Sequence, residues 1–217
     1  MKTYHFIGLG GIGMSGIARV HLELGDAVQG SDVKKGPILE ALEKRGVKVF
    51  VGHDASFVKG ADVVVYSSAV PSDHPERVEA ERRGIPTIHR ADALASLCRG
   101  RSTVAVTGTH GKTTTTALIG TILEEAHRDP TVVVGGWVEA LGGNARLGHG
   151  TEIVIEADES DSSFLKFSPQ IAVVTNIEAE HLDHFHSVGA VERAYERFLQ
   201  GLAPSGRWFG CAEDPRV

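Results

Sequence analysis

The amino-acid sequence predicts an α/β fold, with a Rossmann-like parallel-sheet domain first and a second α/β domain of the P-loop type after it. Two glycine-rich loops support this prediction, because each follows a short apolar strand and opens a helix, at residues 8–13 and 108–111. Short runs rich in β-branched residues alternate with helical segments along the chain. This alternation is typical of parallel sheets covered by helices.

The first glycine loop has the spacing G-x-G-x-x-G over residues 8–13, directly after a strand predicted at residues 4–7. The following helix carries apolar residues at i, i+3 and i+7 and is predicted to end at Gly25. A second strand, residues 27–31, leads to Asp32, at the spacing where an acidic residue meets a ribose in dinucleotide folds. Together these features indicate a Rossmann-like unit, although Asp32 alone also fits a solvated carboxylate at a strand end.

Three further polar residues follow predicted strands of the same unit. His53 comes after the strand at residues 47–51, and Ser67 and Ser68 come after the apolar strand at residues 63–66. Ligands of open α/β sheets bind beyond the carboxyl ends of the strands. Each of these side chains taken singly fits an ordinary turn, but together with the glycine loop they outline one pocket.

Composition, and the glycines and prolines that interrupt helices and strands, predict the other elements of this unit. They are helices at residues 37–45, 75–83 and 92–98 and a short strand at residues 85–88. The short strand contains a proline, which lacks a backbone donor, and is therefore expected near the edge of the sheet. A polar break near Gly100 places the domain boundary there, giving domains of residues 1–99 and 100–217.

The second glycine loop has most of the features of a phosphate loop. Residues 106–113 follow G-x-x-x-x-G-K-[ST] except at the first position, which is Val106, so the loop is shorter. In such a loop the backbone N–H groups surround an anion, Lys112 adds a positive charge and the Thr113 hydroxyl can ligate Mg²⁺. The simpler alternative is a Gly-Lys-Thr turn that starts an ordinary helix. The strand before it and the helix after it favour nucleotide phosphate binding.

The second domain continues with a helix to about residue 126 and several short strands. The predicted strands are residues 131–134, 153–155, 171–174 and 207–209. Residues 135–150, between the first two of these strands, are rich in glycine and are predicted to form a long loop that is functional or mobile.

Acidic residues and histidines follow two of these strands. The strand at residues 153–155 leads into Glu156, and the acids after it are Asp158, Glu159 and Asp161. A carboxylate at a strand end beside a phosphate loop supplies the second half of an Mg·ATP site, so Glu156 is the predicted metal ligand. A solvated acidic loop is the alternative. His181 follows the strand at residues 171–174 in a cluster of imidazole and carboxylate groups, which suit positioning and ligand roles.

Composition excludes several classes of partner. Acidic residues outnumber basic ones, 28 to 22, so neither nucleic acid nor an anionic membrane is expected to bind the chain. Cys98 and Cys211 form neither a disulfide framework nor a metal-binding spacing and suit a reducing cytosol. Since no apolar run approaches membrane-spanning length and no signal peptide is recognisable, a cytoplasmic location is expected.

Four stretches of the sequence together resemble the Mur ligase family. They are residues 8–18 (GLGGIGMSGIA), 107–115 (TGTHGKTTT), 156–165 (EADESDSSFL) and 175–183 (TNIEAEHLD). The resemblance runs over nearly the whole chain, and these motifs in this order are highly specific. It implies that the first domain binds the UDP of UDP-N-acetylmuramate rather than a nicotinamide cofactor, and that the second binds ATP with Mg²⁺.

The implied reaction is ATP-driven amide formation between L-alanine and the lactyl carboxylate of UDP-N-acetylmuramate, through an acyl phosphate, in the synthesis of peptidoglycan precursors. The implied UDP-sugar-binding residues are Gly8, Gly10, Gly11, Ile12, Gly13, Asp32, His53, Ser67 and Ser68. The implied ATP-binding residues are Gly108, Thr109, His110, Gly111, Lys112, Thr113 and Thr114. Thr113 and Glu156 are expected on one Mg²⁺, Glu156 and His181 on a second, and Lys112 on the phosphates.

Two departures from the family pattern bear on this reading. Several Mur ligases support the second metal with a carbamylated lysine, but residues 182–200 contain no lysine, which fits the alanine-adding member. Family members also carry a third domain, so we expect the second domain to be incomplete and this chain alone to be inactive. A different Mur-type ligase, including one for murein-peptide recycling, and a non-catalytic nucleotide-binding fragment are the alternatives. The oligomeric state and the amino acid specificity are left open.

Overall fold

Eleven strands form two separate sheets in the computed structural model, which describes all residues from Met1 to Val217. The first sheet contains β1 (Thr3–Ile7), β2 (Ala27–Asp32), β3 (Lys48–Val51), β4 (Val63–Tyr66) and β5 (Thr87–His89). Its order is β3-β2-β1-β4-β5 and every pairing is parallel. The predicted Rossmann-like sheet is thus confirmed, and the proline-containing segment leads into an edge strand as expected.

Four helices connect the strands of this sheet. They are α1 (Ile12–Glu23), α2 (Pro37–Lys44), α3 (Pro75–Arg82) and α4 (Arg90–Cys98). The last of them begins two residues earlier than predicted, because the His89 side chain accepts a hydrogen bond from the Ala91 amide and caps the helix there. Arg90 is therefore the first helical residue, directly at the carboxyl end of β5.

The second sheet holds the other six strands. They are β6 (Ser102–Thr107), β7 (Thr131–Val138), β8 (Gly143–Arg146), β9 (Glu152–Glu156), β10 (Ile171–Val174) and β11 (Arg207–Gly210). The order is β11-β10-β6-β9-β7-β8, with only β8 antiparallel to its neighbour. The helices of this part are α5 (Lys112–Glu125), α6 (Leu182–Phe185) and α7 (Val188–Gln200). The α/β class of the second domain is thereby confirmed.

The prediction of a long loop over residues 135–150 is wrong. Strand β7 continues to Val138 and pairs with β8 as an irregular antiparallel hairpin. Its glycines serve close packing rather than loop flexibility, because a Cβ at Gly135 would lie 2.6 Å from Glu156 Oε1 and one at Gly136 would lie 3.1 Å from Thr113 Cγ2. Glycine in a strand commonly marks such a close approach.

Helix α1 packs against β7 and β8, so the two sheets share one continuous apolar core. That core includes Phe6 and Ile17 from the first part and Ile153 and Phe164 from the second. Burial of large apolar side chains on both sides of the junction fixes the two glycine loops relative to each other. None of the helices combines the length and the apolar character needed to cross a lipid bilayer.

Candidate functional site

The phosphate-type loop lies between β6 and α5, at the carboxyl edge of the second sheet. Gly111 precedes α5 with a φ of +80°, and Gly108 has a φ of +131°. A Cβ at Gly108 would lie 2.0 Å from Thr175 Oγ1, so no other residue fits there. The strand exit after β10 also holds the loop, because Asn176 Oδ1 accepts from His110 N and Asn176 Nδ2 donates to the His110 carbonyl.

Lys112 places its ammonium at the centre of this loop. Its Nζ donates to the carbonyls of Gly108 and Thr109, at 2.6 and 3.1 Å, and to Glu159 Oε1 at 2.8 Å. Glu159 is buried, and its other oxygen has no hydrogen-bond partner. Burial raises the pKa of Glu159, while the Lys112 ammonium lowers it less strongly. The lysine is therefore preorganised at the loop by a buried acid that the sequence placed only second to Glu156.

Glu156 and Thr113 meet beside this loop. The register places Glu156 next to Val106, one residue before the end of β6, so the carboxylate reaches the first turn of α5. Glu156 Oε2 accepts hydrogen bonds from Thr113 Oγ1 at 2.8 Å and from Gly135 N at 2.7 Å. A carboxylate and a hydroxyl at this separation are the hard oxygen donors that Mg²⁺ prefers, so the donor set fits that ion.

His181 lies at the rim of the same loop, with a φ of +54° just before α6. Its Nε2 is 3.9 Å from Glu159 Oε1, and it makes no hydrogen bond or ion pair with Glu156. The expectation that Glu156 and His181 share a second metal therefore stays a prediction. The structure instead places His181 beside the acid that holds Lys112.

The first glycine loop is stabilised by Asp32 and by the second domain. Asp32 Oδ2 accepts a hydrogen bond from Gly10 N at 2.8 Å, so this carboxylate contacts its own loop directly. Asn144 of β8 donates to the carbonyl of Ile12 and, at 2.8 Å, to Ser15 Oγ. The hairpin that was predicted to be a loop is thus the element that anchors the N-terminus of α1.

His53 is an exposed residue whose imidazole contacts a buried polar cluster formed by His5, Ser31 and Glu76. Its Nδ1 lies 2.9 Å from Glu76 Oε1, and His5 Nε2 lies 2.5 Å from Glu76 Oε2. Ser31 donates to both oxygens of Glu76, which is fully buried. Burial raises the pKa of Glu76, but hydrogen bonds to His5, Ser31 and His53 outweigh it and hold the pKa below its ordinary value. The sequence showed Glu76 only as one charge of a polar helix.

The two serines after β4 have different environments. Ser68 donates to an Asp161 oxygen and lies 2.9 Å from His89 Nε2, so it belongs to the contact between the two domains. Ser67 instead lines a cavity of about 320 Å³ between the two glycine loops. One wall of this cavity contains Gly11, Ile12 and Gly13.

The opposite wall of that cavity contains Lys112, Gly135 and Glu156, and Arg90 and Asp158 complete it. A larger cleft of about 630 Å³, lined by residues around 98–103 and 166–170, contains neither loop. We place the site in the smaller cavity because residues of the first glycine loop and Lys112 of the phosphate-type loop both line it. Sequence patterns did not select Arg90, since an arginine at a helix start carries no local signal of this kind.

The family follows from the match of the sequence to known proteins. Residues 3–102 match the family model described as Mur ligase family, catalytic domain, and residues 106–217 match the one described as Mur ligase middle domain. The chain belongs to the Mur ligase family. The resemblance drawn from the four sequence motifs is thereby confirmed.

Curated relatives of this Mur ligase chain carry the name UDP-N-acetylmuramate–L-alanine ligase. The relative from Caulobacter sp. (strain K31) is 50% identical over 213 residues, covering 98% of this chain and 45% of the relative. The relative from Syntrophotalea carbinolica is 50% identical over 217 residues, covering 100% of this chain and 47% of the relative. The chain thus spans about half the length of the curated relatives it matches.

Solved structures of two Mur ligases superimpose on the whole chain. UDP-N-acetylmuramate-alanine ligase from Thermotoga maritima has a TM-score of 0.90 at 34% identity, and 50% of that chain is covered. UDP-N-acetylmuramate:L-alanyl-gamma-D-glutamyl-meso-diaminopimelate ligase from Neisseria meningitides has a TM-score of 0.92 at 30% identity, and 73% of that chain is covered. The backbone arrangement is therefore common to ligases named for an amino acid and for a peptide.

Proposed function

We propose that this chain provides the UDP-sugar-binding and ATP-binding parts of a ligase that joins L-alanine to the lactyl carboxylate of UDP-N-acetylmuramate. The observation that carries the proposal is the cavity between the two glycine loops, with Gly11–Gly13 on one wall and Lys112 and Glu156 on the other. We assign residues 1–99 to the sugar nucleotide and residues 100–217 to ATP. Such an arrangement brings a carboxylate and a triphosphate together.

The reaction has two steps. A carboxylate oxygen attacks the γ-phosphorus of ATP, the bond from that phosphorus to the bridging oxygen breaks, and ADP leaves. The amine nitrogen of L-alanine then attacks the acyl carbon and loses a proton, and inorganic phosphate leaves with the electron pair of the broken bond. Precursors of peptidoglycan contain this type of amide bond.

The residues of the chain contribute charge and position to the first step. Lys112, already held at the loop centre by Glu159, stabilises negative charge on the transferred phosphoryl group. Thr113 and Glu156 are placed to hold Mg²⁺, which when bound reduces the repulsion between carboxylate and triphosphate. We also assign the backbone of Thr109, His110 and Thr114 to the ATP phosphates, and His181, 3.9 Å from Glu159, to the edge of the same site.

We place the UDP-sugar at the first glycine loop. Gly8, Gly10 and Gly11 have no side chains and leave room for the diphosphate beside the N-terminus of α1, since helix N-termini favour anions. We place the reaction in the cytoplasm, where two unpaired cysteines suit a reducing environment. Neither nucleic acid nor a membrane is required as a partner.

A murein-peptide ligase is the second candidate, because the Neisseria meningitides structure superimposes as well as the alanine ligase does. The 50% identity to alanine ligases favours L-alanine. The two candidates can be distinguished by phosphate release from the enzyme that carries this sequence. It is measured with L-alanine as acceptor and with the tripeptide L-alanyl-gamma-D-glutamyl-meso-diaminopimelate as acceptor. Faster turnover with the tripeptide would overturn the assignment of L-alanine.

Calorimetry on the chain tests the proposal itself. We expect UDP-N-acetylmuramate and ATP with Mg²⁺ each to bind at one site, and NAD not to bind. Binding of NAD in preference to UDP-N-acetylmuramate would instead assign the first domain to a dinucleotide and contradict the ligase.

A further inference from the structure

Arg90 occupies the junction between the two proposed ligand sites. It begins α4 at the carboxyl end of the edge strand β5, and its side chain is only 21% exposed. A Cβ added at Gly13 would lie 3.6 Å from Arg90 Nη1, so the guanidinium borders the first glycine loop. Its Nη2 donates to Asp158 Oδ2 of the second domain at 2.6 Å, and Asp161 Oδ2 is 3.8 Å away.

The charges of the cavity leave Arg90 available for a second anion. Arg90 and Lys112 are the two cations among the residues that line it, and Glu156 and Asp158 are the two acids. Under the proposed function the Lys112 ammonium binds the ATP phosphates. A guanidinium has five N–H donors in a planar fork that matches a carboxylate. Since Asp158 accepts one hydrogen bond from Arg90, donors remain for a ligand.

We propose that Arg90 binds the lactyl carboxylate of the sugar nucleotide and thereby selects UDP-sugars that bear this carboxylate over UDP-sugars that lack it. The inference rests on the proposed function and adds a specificity-determining residue to it. The diphosphate is the other anion of this ligand, but the backbone of the glycine loop and the N-terminus of α1 already suit it. Arg90 lines the same cavity as Gly13, Lys112 and Glu156, where under the proposed function the carboxylate must meet the γ-phosphate.

The ion pair between Arg90 and Asp158 also connects Arg90 to the segment that holds Lys112. Asp158 precedes Glu159, which holds Lys112, so a ligand carboxylate that engages Arg90 acts next to the segment that positions the phosphate-loop lysine. Because the Asp158 carboxylate already accepts a hydrogen bond from Arg90 Nη2 at 2.6 Å, it competes with a ligand carboxylate for Arg90.

Calorimetric titration of the chain with UDP, UDP-N-acetylglucosamine and UDP-N-acetylmuramate tests the inference. Wild-type chain should prefer the acid-bearing sugar, and Arg90→Gln should weaken its affinity for that ligand by about tenfold or more. The same variant should leave unchanged the affinities for UDP and UDP-N-acetylglucosamine, which lack the lactyl carboxylate. Asp158→Asn should retain or strengthen binding of UDP-N-acetylmuramate, because it removes the competing acid.

Lys166→Gln is the matched control. Lys166 of the second domain forms an ion pair at 2.5 Å with Asp92, which lies on α4 as Arg90 does. Lys166 is not among the residues that line the cavity. It should bind all three ligands as the wild type does. A uniform loss of affinity for all three ligands in Arg90→Gln, or an unchanged preference for the acid, would overturn the assignment.

The outcomes separate this inference from the proposed function. If wild-type chain does not bind UDP-N-acetylmuramate, the proposed function fails; if it binds and Arg90→Gln keeps the preference, only the role of Arg90 fails. Should Arg90→Gln not fold, Arg90→Lys applies the same criterion. Its loss of affinity should be smaller and confined to the acid-bearing ligand, and a loss shared by UDP would overturn the inference.

Discussion

Thr113 Oγ1 donates a 2.8 Å hydrogen bond to Glu156 Oε2 and so joins the first turn of α5 to the end of β9. The neighbouring positions of β6 and β9 in the sheet bring the two residues together, although 43 positions separate them in sequence. The Gly135 amide fixes the same carboxylate oxygen. Two oxygen donors are thereby held side by side next to Lys112, before any ligand contributes to their placement.

Removing the charge of Glu156 should change the magnesium requirement for ATP binding. In Glu156→Gln we expect the Mg²⁺ concentration for half-maximal ATP binding to rise by about tenfold or more, since outer-shell partners alone alter metal affinity on that scale. His181→Ala should have a smaller effect, because His181 makes no contact with Glu156. Titration of ATP binding against Mg²⁺ measures both, and unchanged dependence in both variants would remove these residues from the metal site.

Loss of the Lys112 ammonium should affect phosphate binding and turnover. Lys112→Ala in the enzyme that carries this sequence should lower turnover by about 10²–10³, the scale of losing a preorganised charge at a transition state. Lys35→Ala, which removes an exposed lysine paired with Glu43, is the control. Turnover of Lys112→Ala within tenfold of wild type would mean that the loop only starts the helix.

A side chain at Gly135 should disturb the site through packing. A Cβ there would lie 2.6 Å from Glu156 Oε1, so Gly135→Ala should lower the free energy of unfolding by about 1–3 kcal/mol and weaken Mg²⁺-dependent ATP binding. Gly36→Ala is the matched control, because a Cβ at Gly36 has open space around it. Urea unfolding of both variants measures the difference, and equal stability would contradict the tight packing at β7.

The buried Glu76 carboxylate should make the first domain sensitive to acid. Its pKa lies below the ordinary value of 4.5 in the folded chain, so its contribution to stability is present at neutral pH and is lost as the pH falls through the folded pKa. The stability difference between wild type and Glu76→Gln should therefore be largest above pH 4.5 and shrink below it. A difference that grows on acidification would reverse the assigned direction.

The two cysteines should react at very different rates with a thiol reagent. Burial raises the pKa of Cys98 to about 11, whereas Cys211 is exposed. At pH 8 only roughly one Cys98 side chain in a thousand is then ionised, and the thiolate is the reactive form. A fast phase that disappears in Cys211→Ser is expected; a fast phase that persists would place Cys98 at the surface.

Local patterns were sufficient to predict the glycine loops and the strands next to them. A strand, a turn that needs glycine and an amphipathic helix are all encoded within about twenty neighbouring residues, as in residues 4–25. The hairpin of β7 and β8 was mistaken for a loop because Gly135 and Gly136 have the composition of a loop. Glycine is needed at these two positions because a side chain would contact Glu156 or Thr113, and these contacts exist only once the sheet has formed.

The parts of the site that the sequence did not predict depend on contacts between distant segments. Glu76 lies on a highly charged helix, and only the packing of α3 brings it to His5 and Ser31. Arg90 acquires its partner Asp158 from the other domain. Periodicity and motif spacing describe neighbours along the chain, so they carry no information on either pairing.

A crossed calorimetric titration tests most directly whether the two loops form two halves of one ligase site. Under the proposed function, Gly11→Val places a branched side chain where the diphosphate would approach the backbone, so it should abolish binding of UDP-N-acetylmuramate and preserve binding of ATP with Mg²⁺. Lys112→Ala should do the opposite. Retained UDP-N-acetylmuramate affinity in Gly11→Val, or loss of both ligands in a folded single variant, would contradict the assignment of one ligand to each loop.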